Sequence, residues 1–448
     1  MNAEKIGRDE YRQRRRELME RMPAGAVALI PAAPTARRNR DVDYVFRQDS
    51  DFWYLTGHSE PGGLLVLAPG RSKGEAILFC QERNERFELY NGERLGPERA
   101  PDVLAVDEAH PLSELASTVP GLLEGAGTLC VTLGDYPEFD RNLLQWVAGI
   151  RARESSGVVA PGQFIGLKSL LHEQRLIKSP AERLLLARAA EISADAHVRA
   201  MRACRPGMNE TQLEAELIYA FMRRGARAPA YPPIVGGGAN ACVLHYLAND
   251  ADLRDGDLVL VDAGCELDYY AADLTRTYPV GGRFSGVQRA LYEVVLEAQQ
   301  RAVDACMPGA EFDRPHRLAL NTMIEGLVSL GLLGGSLEEI LESESYSALC
   351  PHRSCHWLGL DVHDVGGYHV DGRWRELREG MVLTVEPGLY IRPGLEGVDA
   401  RWQGIGVRIE DDVLVTGNGP VVLTAGAPKK VTEIETVMEE SARGTDAA

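Results

Sequence analysis

The chain of 448 residues is long enough for two domains. Apolar residues make up 45% and charged residues 25%, the balance of a globular protein that folds in water. A net charge of -18 argues against nucleic acid or anionic membrane as a partner; no signal-like or membrane-length apolar run is found, so the expected location is the cytoplasm.

The first segment, GRDEYRQRRRELMERM, is helical in pattern. Asp9, Glu10, Glu17 and Glu20 are interleaved with its arginines, which predicts a solvated helix face rather than a basic binding arm. Short β-rich runs follow (AVALIPAA, FWYLTG, GLLVLAPG, EAILFC and TLCVTLG), alternating with the helical stretches LSELASTV and FDRNLLQWVAGI. This reads as an α/β layered domain over residues 1–175. It has no GxGxxG and no GxxxxGK[ST], so nothing points to a nucleotide. Phe52, Trp53 and Tyr54 are expected to pack from a strand. The eight cysteines form no CxxC and no zinc spacing; Cys80, Cys130 and Cys265 sit in apolar, strand-like contexts and read as reduced core thiols.

Ser179-Pro180-Ala181-Glu182 is a capping box with proline at the first helical position, and it opens a second domain over residues 176–448. That domain repeats itself. AHVRAMRACRPG at 196–207 returns as AQQRAVDACMPG at 298–309, and GDLVLVDAG at 256–264 returns as GMVLTVEPG at 380–388. Each Pro-Gly precedes an amphipathic helical stretch. The pattern predicts two helix–helix–hairpin units about a pseudo-two-fold axis, with Asp262 and Glu386 in equivalent places. The tail after Met438 lacks apolar periodicity and is expected to fray.

Asp255 to Thr277 reads as a β-hairpin that sets Asp262 directly opposite Asp273, with Cβ atoms about 5 Å apart. Two like charges that close cannot both ionise without a cation. The axis would add Glu386 and a fourth carboxylate, Glu410, which shares a strand face with Arg408. A charge of about −4 in a cleft has to be offset, and two divalent cations would do so. His352, His356, His363 and His369 crowd one stretch, and His245 precedes the first hairpin as His356 precedes the second. HRSCH has the spacing of HExxH but arginine where a zinc protease needs glutamate. Oxygen-dominated ligation with one imidazole suits Mn²⁺.

FRQDSDFWYLTG, IVGGGANACVLHY, DAGCELDYYAADLTRTYPV, SCHWLGLDVHDVG, GMVLTVEPGLYI and GIGVRIEDD resemble the pita-bread metallopeptidases, and within them the aminopeptidase P branch, over almost the whole chain. The resemblance implies an α/β N-terminal domain of the creatinase-like kind and an α+β pita-bread catalytic domain. It implies five ligands, Asp262, Asp273, His356, Glu386 and Glu410, for two divalent ions, with Glu386 also placed to take a proton. His245, His352, His363 and Arg408 match the family's catalytic and substrate-side set, and Tyr390 joins His352, His363 and Arg408 on the proline side. The implied reaction releases the first residue from Xaa-Pro-Yaa peptides. A homodimer or homotetramer is implied, with the Tyr90 segment, where family members often carry Trp, reaching towards a neighbouring subunit. Three alternatives stand beside it. An Xaa-Pro dipeptidase needs a carboxylate clamp, for which Arg373, Arg375 and Arg401 are candidates. A dinuclear phosphoesterase wants more histidines and basic clamps. A non-catalytic peptide-binding relative typically loses ligands, whereas all five are present here.

Overall fold

Alternation of side chains decides the core of the N-terminal half. Val27 and Leu29, Leu64 and Val66, Ile77 and Phe79, and Leu129 and Val131 take alternate strand positions and meet in one buried cluster. Their strands belong to a mixed six-stranded sheet in which Ala26–Pro31 is antiparallel to Leu64–Leu67 and parallel to Thr128–Val131. Helices Leu115–Leu123 and Pro137–Arg151 add Val119, Leu123, Leu143, Trp146 and Ile150 to the same cluster. The computed structural model describes residues 5–445; the chain divides into two compact units, Ile6–Arg175 and Leu176–Ala448.

Two expectations for the first unit fail. The run SDFWYLT is a helix, Ser50–Thr56, not a strand. The Asp49 carboxylate caps it by accepting from Phe52 N at 2.9 Å, and Gly57 closes it at φ 65°. Two end signals so close together outweigh the aromatic preference for strands. The helix Arg8–Arg21 is not solvated along its whole arginine run either: Arg14 and Arg15 are buried. Arg15 donates to the carbonyls of Leu55, Leu104 and Ala105, so its burial is satisfied by backbone acceptors. The helix Glu85–Asn91 buries no residue and leaves Leu89 and Tyr90 exposed.

The second unit holds the repeat. Helices Pro180–Ala203 and Glu210–Arg223 pack as one pair, Gly286–Asp304 and Asp313–Ser329 as another. Ser179, Asn209 and Ser285 each start a helix with a complete capping box. The repeated glycines keep their turns as well as their identity: Gly207 and Gly309 lie at φ 84° and 81°, Gly256 and Gly380 at 84° and 90°. The first helix pair leads into the sheet Ile234–Gly237, Leu258–Asp262, Thr275–Pro279. The second leads into the sheet Val382–Val385, Asp411–Thr416, Gly419–Val422 and the ribbon Gly388–Ile391 with Ile405–Arg408.

The hairpin register differs from the one the sequence suggested. Asp262 lies opposite Thr275, not Asp273. The turn is centred on Asp268-Tyr269, both at positive φ (46° and 73°), between Leu267 and Tyr270. This two-residue turn fixes the register and makes Asp273 a diagonal, same-face neighbour of Asp262. Gly264 allows the crossing, because a Cβ there would collide with the Ala272 carbonyl. Near the C-terminus the chain does not fray after Met438: the helix Val431–Thr445 continues past it, and residues 446–448 lie outside those described. All eight cysteines are buried and free of disulfides.

Candidate active site

Strand ends aim the acidic side chains. Asp262 closes the strand Leu258–Asp262, Asp273 precedes Thr275–Pro279, Glu386 follows Val382–Val385, and Glu410 joins Ile405–Arg408 to Asp411–Thr416. His356 reaches them from an irregular segment laced to Val382–Val385: Thr384 N donates to His356 O, and His356 N donates to Thr384 Oγ1. Ligating atoms of Asp273, His356 and Glu410 lie within 4.8 Å of one another. His356 Nε2 is 3.4 Å from Asp273 and 3.5 Å from Glu386. Its Nδ1 lies 3.0 Å from the Trp357 carbonyl, which can only accept. Nδ1 therefore carries a proton, and Nε2 is the nitrogen that faces the carboxylates, where it can hold a second proton or, once deprotonated, offer its lone pair to a metal.

Tyr231 ties the two aspartates together. Its hydroxyl lies 2.5 Å from Asp262 Oδ1 and 2.6 Å from Asp273 Oδ1. One O–H proton serves one acceptor at a time, so a second proton is needed on a carboxyl. Asp262 is the one placed to carry it: burial lifts its carboxyl above the usual range despite Arg408. Burial works the same way on Asp273, but His356, Tyr231 and Arg408 outweigh it and hold that carboxyl below the usual range. Burial lifts Glu386 to about 7, and burial together with Asp273, Glu386 and Asp262 pushes Glu410 far up. Burial disfavours an imidazolium at His356, yet Asp273 and Glu386 hold it up to about 9. The cluster is thus short of positive charge and takes protons to make up for it. Divalent ions fit this donor set, since they would replace those protons with fixed charge on oxygen and imidazole ligands.

A chain of donors backs the cluster. Arg408 is buried and spends its guanidinium on Asp262 Oδ2 at 2.5 Å, Thr275 Oγ1 at 3.1 Å and the Tyr390 hydroxyl at 2.8 Å. Thr275 passes its own hydroxyl proton to Glu410 Oε2 at 2.7 Å. His352 Nδ1 lies 2.8 Å from the Arg353 carbonyl and Nε2 lies 2.9 Å from Tyr390 Oη. Since Nδ1 must donate, Nε2 accepts from Tyr390, and the ring is neutral; burial holds it down at about 4.

These groups line one face of a cavity of about 420 Å³. His245, His352, His356 and His363 all border it, with Leu244, Leu247, Ile234, Pro232 and Val362 as its apolar wall. His363 stands edge-on to His356, ring centroids 4.4 Å apart. Tyr390 is 2% exposed and reaches the cavity through His352 and Arg408. Arg373, Arg375 and Arg401 do not border it. Arg375 gives its Nε to the Gly367 carbonyl, and Arg401 pairs with Asp399. His369 lies in a short exposed strand against Trp374, also away from the lining.

Sequence reasoning missed Tyr231 and Thr275. Thr275 sits two positions after Asp273, a same-face spacing that could have flagged it. Tyr231, in AYPPIV, carries no acidic or repeat signal. It also missed Asp412, whose carboxylate accepts from Asp273 N at 3.1 Å, and Arg276, which donates to the Glu410 carbonyl at 2.6 Å and to Asp411 at 2.7 Å.

A pocket lined by four carboxylates and an imidazole on a duplicated helix–helix–sheet scaffold defines a class. Residues 185–417 match metallopeptidase family M24 and residues 11–131 match the aminopeptidase P N-terminal domain; the chain belongs to the M24 metallopeptidases, with the pita-bread catalytic domain of that family. The Xaa-Pro aminopeptidase of Escherichia coli strain K12 is 44% identical over 97% of this chain and 98% of its own. Among solved structures, the Pseudomonas aeruginosa aminopeptidase PepP is 50% identical with TM-score 0.97, covering 98% of this chain and 99% of that one. E. coli aminopeptidase P with the inhibitor Pro-Leu is 44% identical with TM-score 0.95, covering 98% and 100%.

Proposed function

We propose that the chain is an Xaa-Pro aminopeptidase: an exopeptidase that uses two divalent ions, Mn²⁺ by its oxygen-rich ligand set, to release the first residue of Xaa-Pro-Yaa peptides. The convergence of three buried carboxylates, the partly buried Glu386 and one imidazole on a cavity edged by further histidines carries this reading, and similarity to Xaa-Pro aminopeptidases supports it. Asp262, Asp273, His356, Glu386 and Glu410 would hold the ions. When bound, such a pair supplies Lewis-acid polarisation of the scissile carbonyl and a nucleophile from water at neutral pH.

The chain's own groups do the rest. The carboxylate-lined depth of the cavity seats the free amine of the substrate and so fixes the cut at the first bond. Glu386, which lies 3.5 Å from His356 and 3.8 Å from His352, takes the proton from the attacking water. His245 borders the cavity where the scissile carbonyl must lie, and donation to its oxygen is worth about 3 kcal/mol. A histidine relay through His363 returns a proton to the leaving proline nitrogen. Leu244, Leu247 and Val362 supply apolar contact for the proline ring. Tyr390 and Arg408 set the posture of His352 and Asp262. The chain associates as a homodimer or homotetramer, and its place of action is the cytoplasm. Among the described residues no helix is long and apolar enough to cross a membrane.

An Xaa-Pro dipeptidase is the second reading, and the position of Arg373, Arg375 and Arg401 outside the cavity lining removes the clamps it was expected to use. Hydrolysis of Xaa-Pro against Xaa-Pro-Yaa, with added Mn²⁺ and with chelator, decides between them. The tripeptide should lose only its first residue, its N-acetylated form should be inert, and alanine in place of proline should slow the reaction sharply. Cleavage confined to dipeptides would transfer the assignment.

A further inference from the structure

Two arginines border the cavity, Arg353 and Arg408. Arg408 is 4% exposed and fully engaged by Thr275, Tyr390 and Asp262. Arg353 is the opposite case, with its side chain 50% exposed. Its Nη2 donates to the nearly buried Asp313 carboxylate, and the Trp374 ring lies under its guanidinium with the centroid 5.0 Å away. Nε and Nη1 have no protein partner among the described residues. The main chain beneath is pinned as well: the Arg353 carbonyl accepts from His352 Nδ1, and Ser354 N donates to His316 Nδ1 at 3.3 Å. The guanidinium is therefore held at one edge and one face and presents its remaining donors outward. A group fixed this way loses little rotamer entropy on binding an anion.

The orientation of the bound peptide says what that anion is. The peptidase reading seats the free amine in the depth of the cavity, beside Asp262, Asp273, Glu386 and Glu410, so the opposite end of the peptide faces outward. A peptide bound amine-first sends its carboxylate towards the mouth, where Arg353 is the one lining cation with open donors among the described residues. We propose that Arg353 recognises a carboxylate on the leaving-group side of the substrate, and so gives the enzyme a preference for short peptides with a free C-terminus or an acidic residue after proline. This inference rests on the peptidase reading above.

The test measures kcat/KM of the metal-loaded enzyme for Xaa-Pro-Ala as free acid, Xaa-Pro-Ala amide and Xaa-Pro-Glu amide. The wild type should prefer the free acid over the amide by roughly three- to tenfold through KM, the size of one half-exposed charge-assisted contact. Recovery of the rate with Xaa-Pro-Glu amide would identify an acidic side chain as an acceptable source; no recovery would assign the C-terminal carboxylate alone. Arg353→Ala should bring the acid-to-amide ratio to about one, and Arg353→Lys should keep part of it. Calorimetry of Pro-Ala against Pro-Ala amide, on metal-loaded wild type and Arg353→Ala of equal metal content, should show the same ratios without turnover. An unchanged ratio in Arg353→Ala, or no preference in the wild type, overturns the proposal. If no peptide is cleaved at all, the peptidase reading fails; the calorimetric ratio then still decides whether Arg353 selects a carboxylate.

Discussion

The two repeats of the catalytic unit contribute to the site unequally. The first supplies two short carboxylates, Asp262 and Asp273, and both are gripped: Tyr231 bridges them, Arg408 takes Asp262, and Asp412 fixes the backbone of Asp273. The second supplies two long ones. Glu410 accepts one hydroxyl, from Thr275, and the ion-pair contacts of Glu386 among the described residues are to the histidines His352 and His356. A carboxylate that is held by donors is a fixed ligand, whereas one facing imidazoles is free to exchange a proton. The two repeats therefore differ in how firmly they hold their carboxylates, and the proposed mechanism gives the proton transfer to the less firmly held Glu386 of the second.

Removing a proposed metal ligand should break the comparison outright. Glu410→Ala should cost at least about 10³-fold in turnover while far-UV circular dichroism and the oligomeric state stay unchanged, since the lost group serves chemistry and not packing. Metal analysis should show a loss of bound divalent ion in the same variant. Full stoichiometric metal with full activity in Glu410→Ala would remove that residue from the ligand set.

Tyr231→Phe sharpens it. The variant keeps the ring and deletes only the hydroxyl between Asp262 and Asp273. Losing an outer partner of this kind should weaken metal binding or activity by about 10- to 100-fold. The effect should be partly rescued by raising the metal concentration, which a general fault in folding would not be. Activity and metal affinity equal to wild type would show that the aspartates need no such clamp.

The third test uses pH on chelated protein. Folded Glu386 titrates at about 7 and folded His356 at about 9, both raised. A raised group binds its proton more tightly when folded. Its stabilising effect is complete below its unfolded value and is lost as pH climbs through the folded one. The chelated protein should therefore lose stability from about pH 5 up to 9, read as a falling Tm. Metal should flatten that slope and add roughly 2.7–4 kcal/mol at 100 to 1,000 times its dissociation constant. A Tm that rises over this window in chelator would contradict the proton-filled cluster.

Much of this was legible in the sequence because repetition and charge are sequence properties. The doubled GDLVLVDAG and GMVLTVEPG phrases put Asp262 and Glu386 in equivalent places, and the paired glycine turns keep them there. Hairpin register was not legible, since Asp268-Tyr269 can form a positive-φ turn without containing glycine. The fate of SDFWYLT was misjudged because caps at Asp49 and Gly57 overruled the aromatic content between them. Tyr231 escaped because a neutral hydroxyl shows its worth only when folding brings two distant carboxylates to it. Arg15 escaped for a similar reason: its acceptors are carbonyls far along the chain, invisible to any local charge count.

The smallest effect asks whether the two repeats are sufficient. Every group that borders the cavity comes from the catalytic unit, and the N-terminal unit contributes no ligand to the metal cluster among the described residues. Yet that unit carries the helix Glu85–Asn91, which buries none of its own residues and leaves Leu89 79% and Tyr90 78% exposed. These adjacent exposed apolar side chains are the segment that the proposed self-association would cover. A second copy of the chain is the partner that a self-associating peptidase would bring there. Light scattering should give a dimer or tetramer, and Tyr90→Ala should raise KM for longer peptides by a factor of about three, the loss of one modest apolar contact, while metal content stays unchanged. The asymmetry between long and short substrates is the useful part, because a general loss of stability would affect both. A monomer at working concentration, together with an unchanged KM for every peptide length, would leave the two repeats as the whole of the site.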